Sequence, residues 1–414
     1  MSRKWSIFAA CATLFLMSQF YRASSAIIAP DLMRDLHLDH EALGLLGAVF
    51  FYVFAAVQFP LGPVLDRFGP RATMTSLNLL ATAGAIIFAQ AHTMAGGIVG
   101  RALLGLGMAA NLMGPFKLFT AWFDAARFAT LSGTLLSIGT LGSIAATTPL
   151  ALLVSSIGWR GSFYLLAALN LALTVLLALV VKDTPTGQRP SQGDATISPY
   201  PTAASSLAKL FSSRHYWAIA ITAFLRYGSY ASIQALWAGP FLMQYLGLSP
   251  VTAGNLLFLI SIGFIIGSPI GGALSDTILK SRKKTVIAGT LVPGILTIVL
   301  SQWTSSVHLA MLGVILFCLG FFNSFGQVIY AHIKELMPQE ISASAMTAVN
   351  FFTMLGGGVF IHALGGVMKR ISETTPQLGE GYEFSFIICS IGFLLPVALY
   401  LTTRDTRASL DGDR

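Results

Sequence analysis

Twelve stretches of apolar and small residues run along the chain, at about residues 5–29, 42–61, 72–91, 95–115, 128–156, 162–181, 215–242, 251–273, 285–303, 307–331, 341–366 and 384–402. Each is close to the roughly 20 residues a helix needs to cross about 30 Å of hydrocarbon. Within them apolar residues follow one another instead of alternating with polar ones, which excludes barrel strands, and in lipid only a helix or a closed barrel satisfies its own backbone. The pattern predicts an all-α integral membrane protein with twelve transmembrane helices. The first stretch, behind Arg3 and Lys4, has the outline of a signal peptide. No small-x-small cleavage site follows it and it is long enough to span, so it is expected to remain as the first helix.

The one long polar interval, KDTPTGQRPSQGDATISPYPTAASSLAKLFSSRH from Lys182, is rich in Pro, Ser, Thr and Gly and has no apolar period. It reads as a cytoplasmic linker over residues 183–214, between a six-helix bundle at 1–182 and a second at 215–414 with a short cytoplasmic tail. The halves look like copies. A shift of about 210 positions lays PDLMRDLHL (Pro30–Leu38) on PFLMQYLGL (Pro240–Leu248), Gly44 on Gly254, Gly62 on Gly272 and Asp66 on Asp276, as in proteins built from repeated bundles around a midplane site. Further on, the KDT at Lys182 resembles the RDT at Arg404.

Composition agrees with lipid as the solvent: 55% of the 414 residues are hydrophobic and 10% charged, the mean hydropathy is +0.73, and a soluble domain carries about a quarter charged residues. The net charge of +8 invites a nucleic-acid reading. Its distribution removes that reading. Arg3, Lys4, Arg67, Arg71, Lys117, Arg127, Lys182, Arg189, Lys209, Arg214, Lys280, Arg282, Lys283, Lys284, Lys334, Arg404, Arg407 and Arg414 fall in intervals or tails on one side, whereas Arg34, Arg160, Lys369 and Arg370 fall on the other. By the positive-inside rule this puts both termini in the cytoplasm, and the expected location is an inner membrane. Cys11, Cys318 and Cys389 lie inside spans, where a thiol is a small apolar filler. The expected partners are therefore the lipid bilayer and a small molecule, with no nucleic acid and no cofactor, and the expected unit is a monomer.

After the second span stands GPVLDRFGPRAT, Gly62 to Thr73, and the second half carries GGALSDTILKSRKKT from Gly271. The first resembles the G-x-x-x-D-R-x-G-R-R signature of the major facilitator superfamily, the second its degraded partner, and RALLGLGMAA at Arg101 is similar to the superfamily's R-x-x-x-G-x-G signature. The resemblance covers the chain. It implies two pseudo-symmetric six-helix bundles that rock about a central cavity, and a gating role for Gly62, Asp66, Arg67, Arg71, Arg101 and Asp276. Physically, Gly62 would permit a close helix approach, Asp66 would accept bonds from a helix N-terminus, and Arg67 and Arg71 would pair with acids opposite. GTLGSIAATTPLALL from Gly139 offers packing glycines in the fifth span and lacks the G-P-x-x-G-G ending of drug exporters.

Three arginines lie inside spans, Arg22 in FYRASSAIIAP, Arg101 in the fourth span and Arg226 in FLRYGSYASIQALWAGP, while all seventeen acids fall in intervals or tails. A buried arginine costs roughly 2.5–3.5 kcal/mol on the translocon scale, so the missing countercharge points to an anionic cargo. Arg22 and Arg226, on equivalent helices, are expected to face one cavity, where the planar fork holds carboxylate or phosphate oxygens two at a time. Arg101 is expected to hold backbone carbonyls. Tyr21, Tyr52, Asn111, Tyr227, Tyr230, Gln234, Trp237, Asn323, Gln327, Tyr330 and Asn350 are the candidate lining residues, with Asn111 and Asn323 at matching places of the fourth and tenth spans.

The first- and seventh-span arginines resemble those of the organophosphate:phosphate antiporter branch, which implies anion binding. That branch places a lysine after the first arginine, where this chain has Ala23, and adds a second-span lysine and a fifth-span histidine that this chain lacks. A carboxylate, an amphoteric amino acid or peptide, and a phosphorylated metabolite all remain open, coupled to a proton or a counter-anion. The expected function is secondary active transport of a small organic anion by alternating access. A transporter-like receptor for an anion and an exporter of another substrate class are the alternatives. An enzyme is not expected, because no metal-ligand cluster, nucleophile elbow or buried carboxylate pair occurs.

Overall fold

The structure, a computed structural model, describes residues 3–123, 128–184, 210–302, 308–337, 342–374 and 378–406. Most of the linker, 185–209, lies outside them. The described residues are helical rods joined by short turns, without strands. In chain order α1 is residues 3–35 (Arg3–Ala23 continued by Ser25–Asp35), α2 is 40–68, α3 is 70–89, α4 is Met94–Trp122, α5 is 128–157 and α6 is 159–180. The second half gives α7 at 214–245, α8 at Pro250–Ile278, α9 at Arg282–Ser301, α10 at Leu309–Leu336, α11 at Ser342–Thr374 and α12 at Leu378–Leu401. By length and hydropathy nine candidate spans stand out among the described residues. Two pairs of rods run on almost without a turn. Single glycines in the positive-φ region, Gly69 (φ 79°) and Gly158 (φ 73°), separate α2 from α3 and α5 from α6.

The rods form two compact units, Met1–Leu38 with Val49–Ser198 and Asp39–Ala48 with Pro199–Arg414. The boundary runs through α2, whose first residues pack with the second half. There Gly44 and Gly365 meet backbone to backbone, His40 stacks on Trp237 at 6.3 Å, and Lys369 holds Asp39 at 3.1 Å and Glu41 at 2.8 Å.

The repeat read from sequence extends to the backbone. His37 (φ 52°) matches Gly247 (φ 66°), and Gly69 (φ 79°) matches Lys280 (φ 44°) to within one position of the same shift. The KDT and RDT segments also acquire a common role. The Asp183 carboxylate accepts from the backbone N–H of Arg71 at 2.7 Å, at the start of α3. Asp405 accepts from the backbone N–H of Arg282 at 3.2 Å, at the start of α9. Trp122 of α4 donates its indole N–H to the carbonyl of Lys182 at 2.8 Å, and His332 of α10 bonds the carbonyl of Arg404 at 2.9 Å through Nε2. Since a carbonyl only accepts, Nε2 carries the proton and Nδ1 accepts from the Tyr400 hydroxyl at 2.6 Å. Basic side chains complete each clamp: Arg71 reaches the carbonyl of Ala178 at 2.9 Å, and Lys283 reaches the carbonyls of Leu401 at 2.5 Å and Thr403 at 3.0 Å. In each half a carboxylate just past the last helix caps the third, where free N–H groups and the helix dipole favour negative charge.

Candidate functional site

The second half holds the more informative arginine. Arg226 of α7 is 1% exposed. Its Nη1 donates twice to Asn323 of α10, to the main-chain carbonyl at 3.0 Å and to the side-chain oxygen at 2.7 Å. The guanidinium lies flat on Gly326, where an added Cβ would sit 2.5 Å from Cζ and 2.6 Å from Nε. Arg226 Nε and Asn323 Nδ2 are both buried and have no hydrogen-bond partner among the described residues. No acid among those residues pairs with Arg226, and its electrostatic neighbours are the phenols of Tyr227, Tyr230, Tyr330 and Tyr400.

Around this arginine the other expected residues take distinct places. Tyr227 is half-buried 6.5 Å from the ring of Tyr230, which stacks on Phe264 at 6.2 Å. Tyr330 donates to Asn350 at 3.1 Å and lies 3.3 Å from the Thr353 hydroxyl, and Gln327 is half-buried in the turn Gly326–Val328. Gln234 bonds Ser261 at 3.3 Å from within a π-helical segment, Ile233–Trp237. Such one-turn widenings are frequent at functional sites. Trp237, in the same segment, is buried with its N–H on the carbonyl of Ile361 at 3.2 Å.

In the first half Arg22 is half-buried over two rings, 5.0 Å from the centroid of Phe54 and 5.9 Å from that of Phe51. Arg101 is 1% exposed, donates to the carbonyl of Tyr21 at 3.0 Å and lies 5.2 Å from the centroid of Phe50. Tyr21 is buried and Tyr52 half-buried. Asn111 is engaged on several sides: it exchanges amide bonds with Asn78 at 2.8 and 3.0 Å and donates to the carbonyl of Leu14 at 3.3 Å. Asn170 extends this network to the Asn78 carbonyl and the Thr82 hydroxyl.

The gating candidates depart from expectation at Gly62 and at Arg71. Gly62 is exposed, and an added Cβ there would meet nothing within 4 Å among the described residues, so they do not supply the close approach expected of it. The side chain of Asp66 lies outside the described residues. Asp183 takes up the helix N-terminus at Arg71, whose guanidinium goes to a carbonyl. Arg67 is exposed, 5.3 Å from the centroid of Phe68. Asp276 is bonded by Arg282 at 2.6 Å, and Arg282 also forks onto Glu335 at 2.9 and 3.1 Å.

Asn78, Ser261 and Gly326 were not anticipated at these contacts. Asn323 and Gly326 stand three apart on one helix face, a spacing visible in the sequence once α10 is assigned. Among the described residues no group of three or more His, Cys, Asp or Glu side chains is placed to hold a metal ion.

Comparison with known proteins is consistent with this architecture. The family model of the Major Facilitator Superfamily matches residues 9–361. The probable sulfoacetate transporter SauU of Cupriavidus necator is 27% identical over 279 residues, 64% of this chain and 64% of that protein's length. The probable galactarate/D-glucarate transporter GudP of Escherichia coli is 23% identical, covering 86% of this chain and 85% of its own. Among solved structures, the D-xylose–proton symporter superposes with a TM-score of 0.79 at 15% identity, covering 98% of this chain and 99% of that one. A bacterial homologue of the human lysosomal transporter Spinster, inward-facing and occupied, gives a TM-score of 0.77 at 15% identity over 97% of both chains.

Proposed function

The chain belongs to the Major Facilitator Superfamily and is a transporter rather than an enzyme; from that premise we propose that it moves a small carboxylate-bearing organic anion across the inner membrane by alternating access, with Arg22 and Arg226 as binding cations. The observation that carries this reading is Arg226, a buried guanidinium without an acidic partner among the described residues. A fixed buried charge left unneutralised is costly in a membrane and marks a ligand pathway. Arg22, presented on Phe51 and Phe54, supports a second contact in the first half.

The names of the relatives support the charge of the cargo. Sulfoacetate, galactarate, D-glucarate and, in another Escherichia coli relative 22% identical to this chain, L-galactonate are all organic anions that carry a carboxylate. Ala23, where phosphate-binding relatives of the antiporter branch place a lysine, lowers the positive charge available and favours a carboxylate over a dianionic phosphate. Coupling to a proton or to a counter-anion balances the transferred charge. The bundles at 1–182 and 215–414 are taken as the moving parts. The clamps at Arg71 with Asp183 and at Arg282 with Asp405 would stiffen their ends.

Reconstituted vesicles test this reading. Uptake of labelled D-glucarate or sulfoacetate should be lost from Arg22→Lys and from Arg226→Lys, each of which keeps the charge and loses the fork, with membrane insertion unchanged. Wild-type uptake by both variants would remove the arginines from the site. Flux of neutral solutes alone would redirect the substrate class, and binding without flux would indicate a receptor.

A further inference from the structure

The second-half site shares a scaffold with a sealed amide cluster in the first half. A shift of 212 positions lays Asn111 on Asn323, Leu14 on Arg226, Asn78 on Thr290 and Gly114 on Gly326. In the first half the Asn111 amide nitrogen is satisfied by the Leu14 carbonyl and by Asn78. In the second half the counterpart of Asn78 is Thr290, whose hydroxyl is spent on the carbonyl of Val286 at 2.7 Å. Asn323 thus turns its oxygen to Arg226 and leaves Nδ2 without an acceptor among the described residues. Buried amide and guanidinium N–H groups are nearly always bonded, so two orphaned donors on a hydrogen-bonded pair of residues point to an acceptor supplied from outside the described residues.

We propose that Asn323 and Gly326 are positioning and specificity-determining residues that hold Arg226 by Nη1 and leave its Nε–Nη2 edge open for two oxygens of a carboxylate, sulfonate or phosphate group. This inference rests on the reading that Arg226 meets an anionic cargo. The two oxygens of Asn323 both fall on Nη1, and the buried Nε has no hydrogen-bond partner among the described residues. That edge has the spacing of a bidentate oxyanion contact. Gly326 provides the floor, because any side chain there would lie where the guanidinium now lies. The Asn323 amide nitrogen, on the same buried patch, is available as a further donor.

The test uses the full-length protein in detergent or vesicles, with D-glucarate, sulfoacetate and glucose 6-phosphate as probes. Asn323→Asp places a carboxylate against Nη1, and Gly326→Ala displaces the fork. Each is expected to weaken binding of the preferred probe at least tenfold, with KM for exchange raised and the maximal rate largely kept. In arginine-labelled wild-type protein, the Nε–H resonance that disappears in Arg226→Lys should shift on adding the probe, and should not shift in Asn323→Asp. If Arg226→Lys loses binding while Asn323→Asp and Gly326→Ala bind within twofold of wild type, the positioning role is overturned and the anion reading survives. If Arg226→Lys also binds normally, both fall. Should Gly326→Ala fail to accumulate folded, Asn323→Ser carries the same comparison, and an unmoved Nε–H resonance in the wild type at saturating probe overturns the proposal.

Discussion

The paired clamps make a quantitative prediction at Gly69 and Asp183. Gly69 sits at φ 79°, ψ 157°, a region open essentially to glycine alone, and an added Cβ would run into the Asp183 carboxylate, 2.9 Å from its carbon. Removing the cap with Asp183→Ala should cost about 1 kcal/mol, within the usual range of roughly 0.5–2 for capping residues. Gly69→Ala carries backbone strain of about 1–3 kcal/mol. It also pushes the carboxylate off the Arg71 N–H, so it forfeits the same cap. In the Asp183→Ala background only the strain remains. The double variant should therefore be about 1 kcal/mol more stable than the sum of the single costs predicts, a coupling well above the roughly 0.3–0.5 kcal/mol scatter of independent sites. Each half is near 200 residues, for which about 1 kcal/mol moves the midpoint by roughly 2–4 °C. Thermal unfolding of the purified protein followed by tryptophan fluorescence reads this, and Trp122, bonded to the carbonyl of Lys182, reports from within the clamp. Strict additivity, or an unmoved midpoint in Asp183→Ala, would refute the capping account.

Two further outcomes follow from other contacts. The indole of Trp159 and the guanidinium groups of Arg34 and Arg160 hold the Asp35 carboxyl below its ordinary range, at the end of α1 beyond the apolar run. A lowered folded value stabilises above the unfolded value near 4 and is lost as pH falls through the folded one, so melting of the wild type should drop toward that of Asp35→Asn below about pH 4 and exceed it at pH 7. Gly320→Ala should abolish most folded protein, since its Cβ would overlap the Ile260 carbonyl group between α8 and α10, whereas Gly272→Ala, which meets nothing within 4 Å, should accumulate as the wild type does.

The twelve apolar runs were legible because lipid imposes one period and one length on every span. Helix ends were less so: hydropathy separates the second run from the third by about ten residues, yet α2 and α3 are interrupted at Gly69 alone. Hydropathy records where lipid stops, and hydrogen bonding continues past that point. The KDT and RDT likeness was visible as a repeat, but its capping role was not, because the N–H groups it serves lie more than a hundred residues away. Asn111 and Asn323 stood out as a matched pair, and their different partners depend on Asn78 and Thr290, which no local pattern links to them. Gly62 reads as a close-approach glycine from a motif, and none of the described residues comes within 4 Å of where its Cβ would sit.

The central claim, that the cargo neutralises arginine within the membrane, is tested most directly by melting the purified protein in the presence of D-glucarate and of its uncharged analogue D-glucitol. A ligand of the native state at a hundred times its Kd stabilises by about 2.7 kcal/mol. Stabilisation of this order by the dianion, absent with glucitol and abolished in Arg226→Lys, is the predicted result. Equal stabilisation by the neutral polyol, or stabilisation by the dianion that survives in Arg226→Lys, would contradict the account.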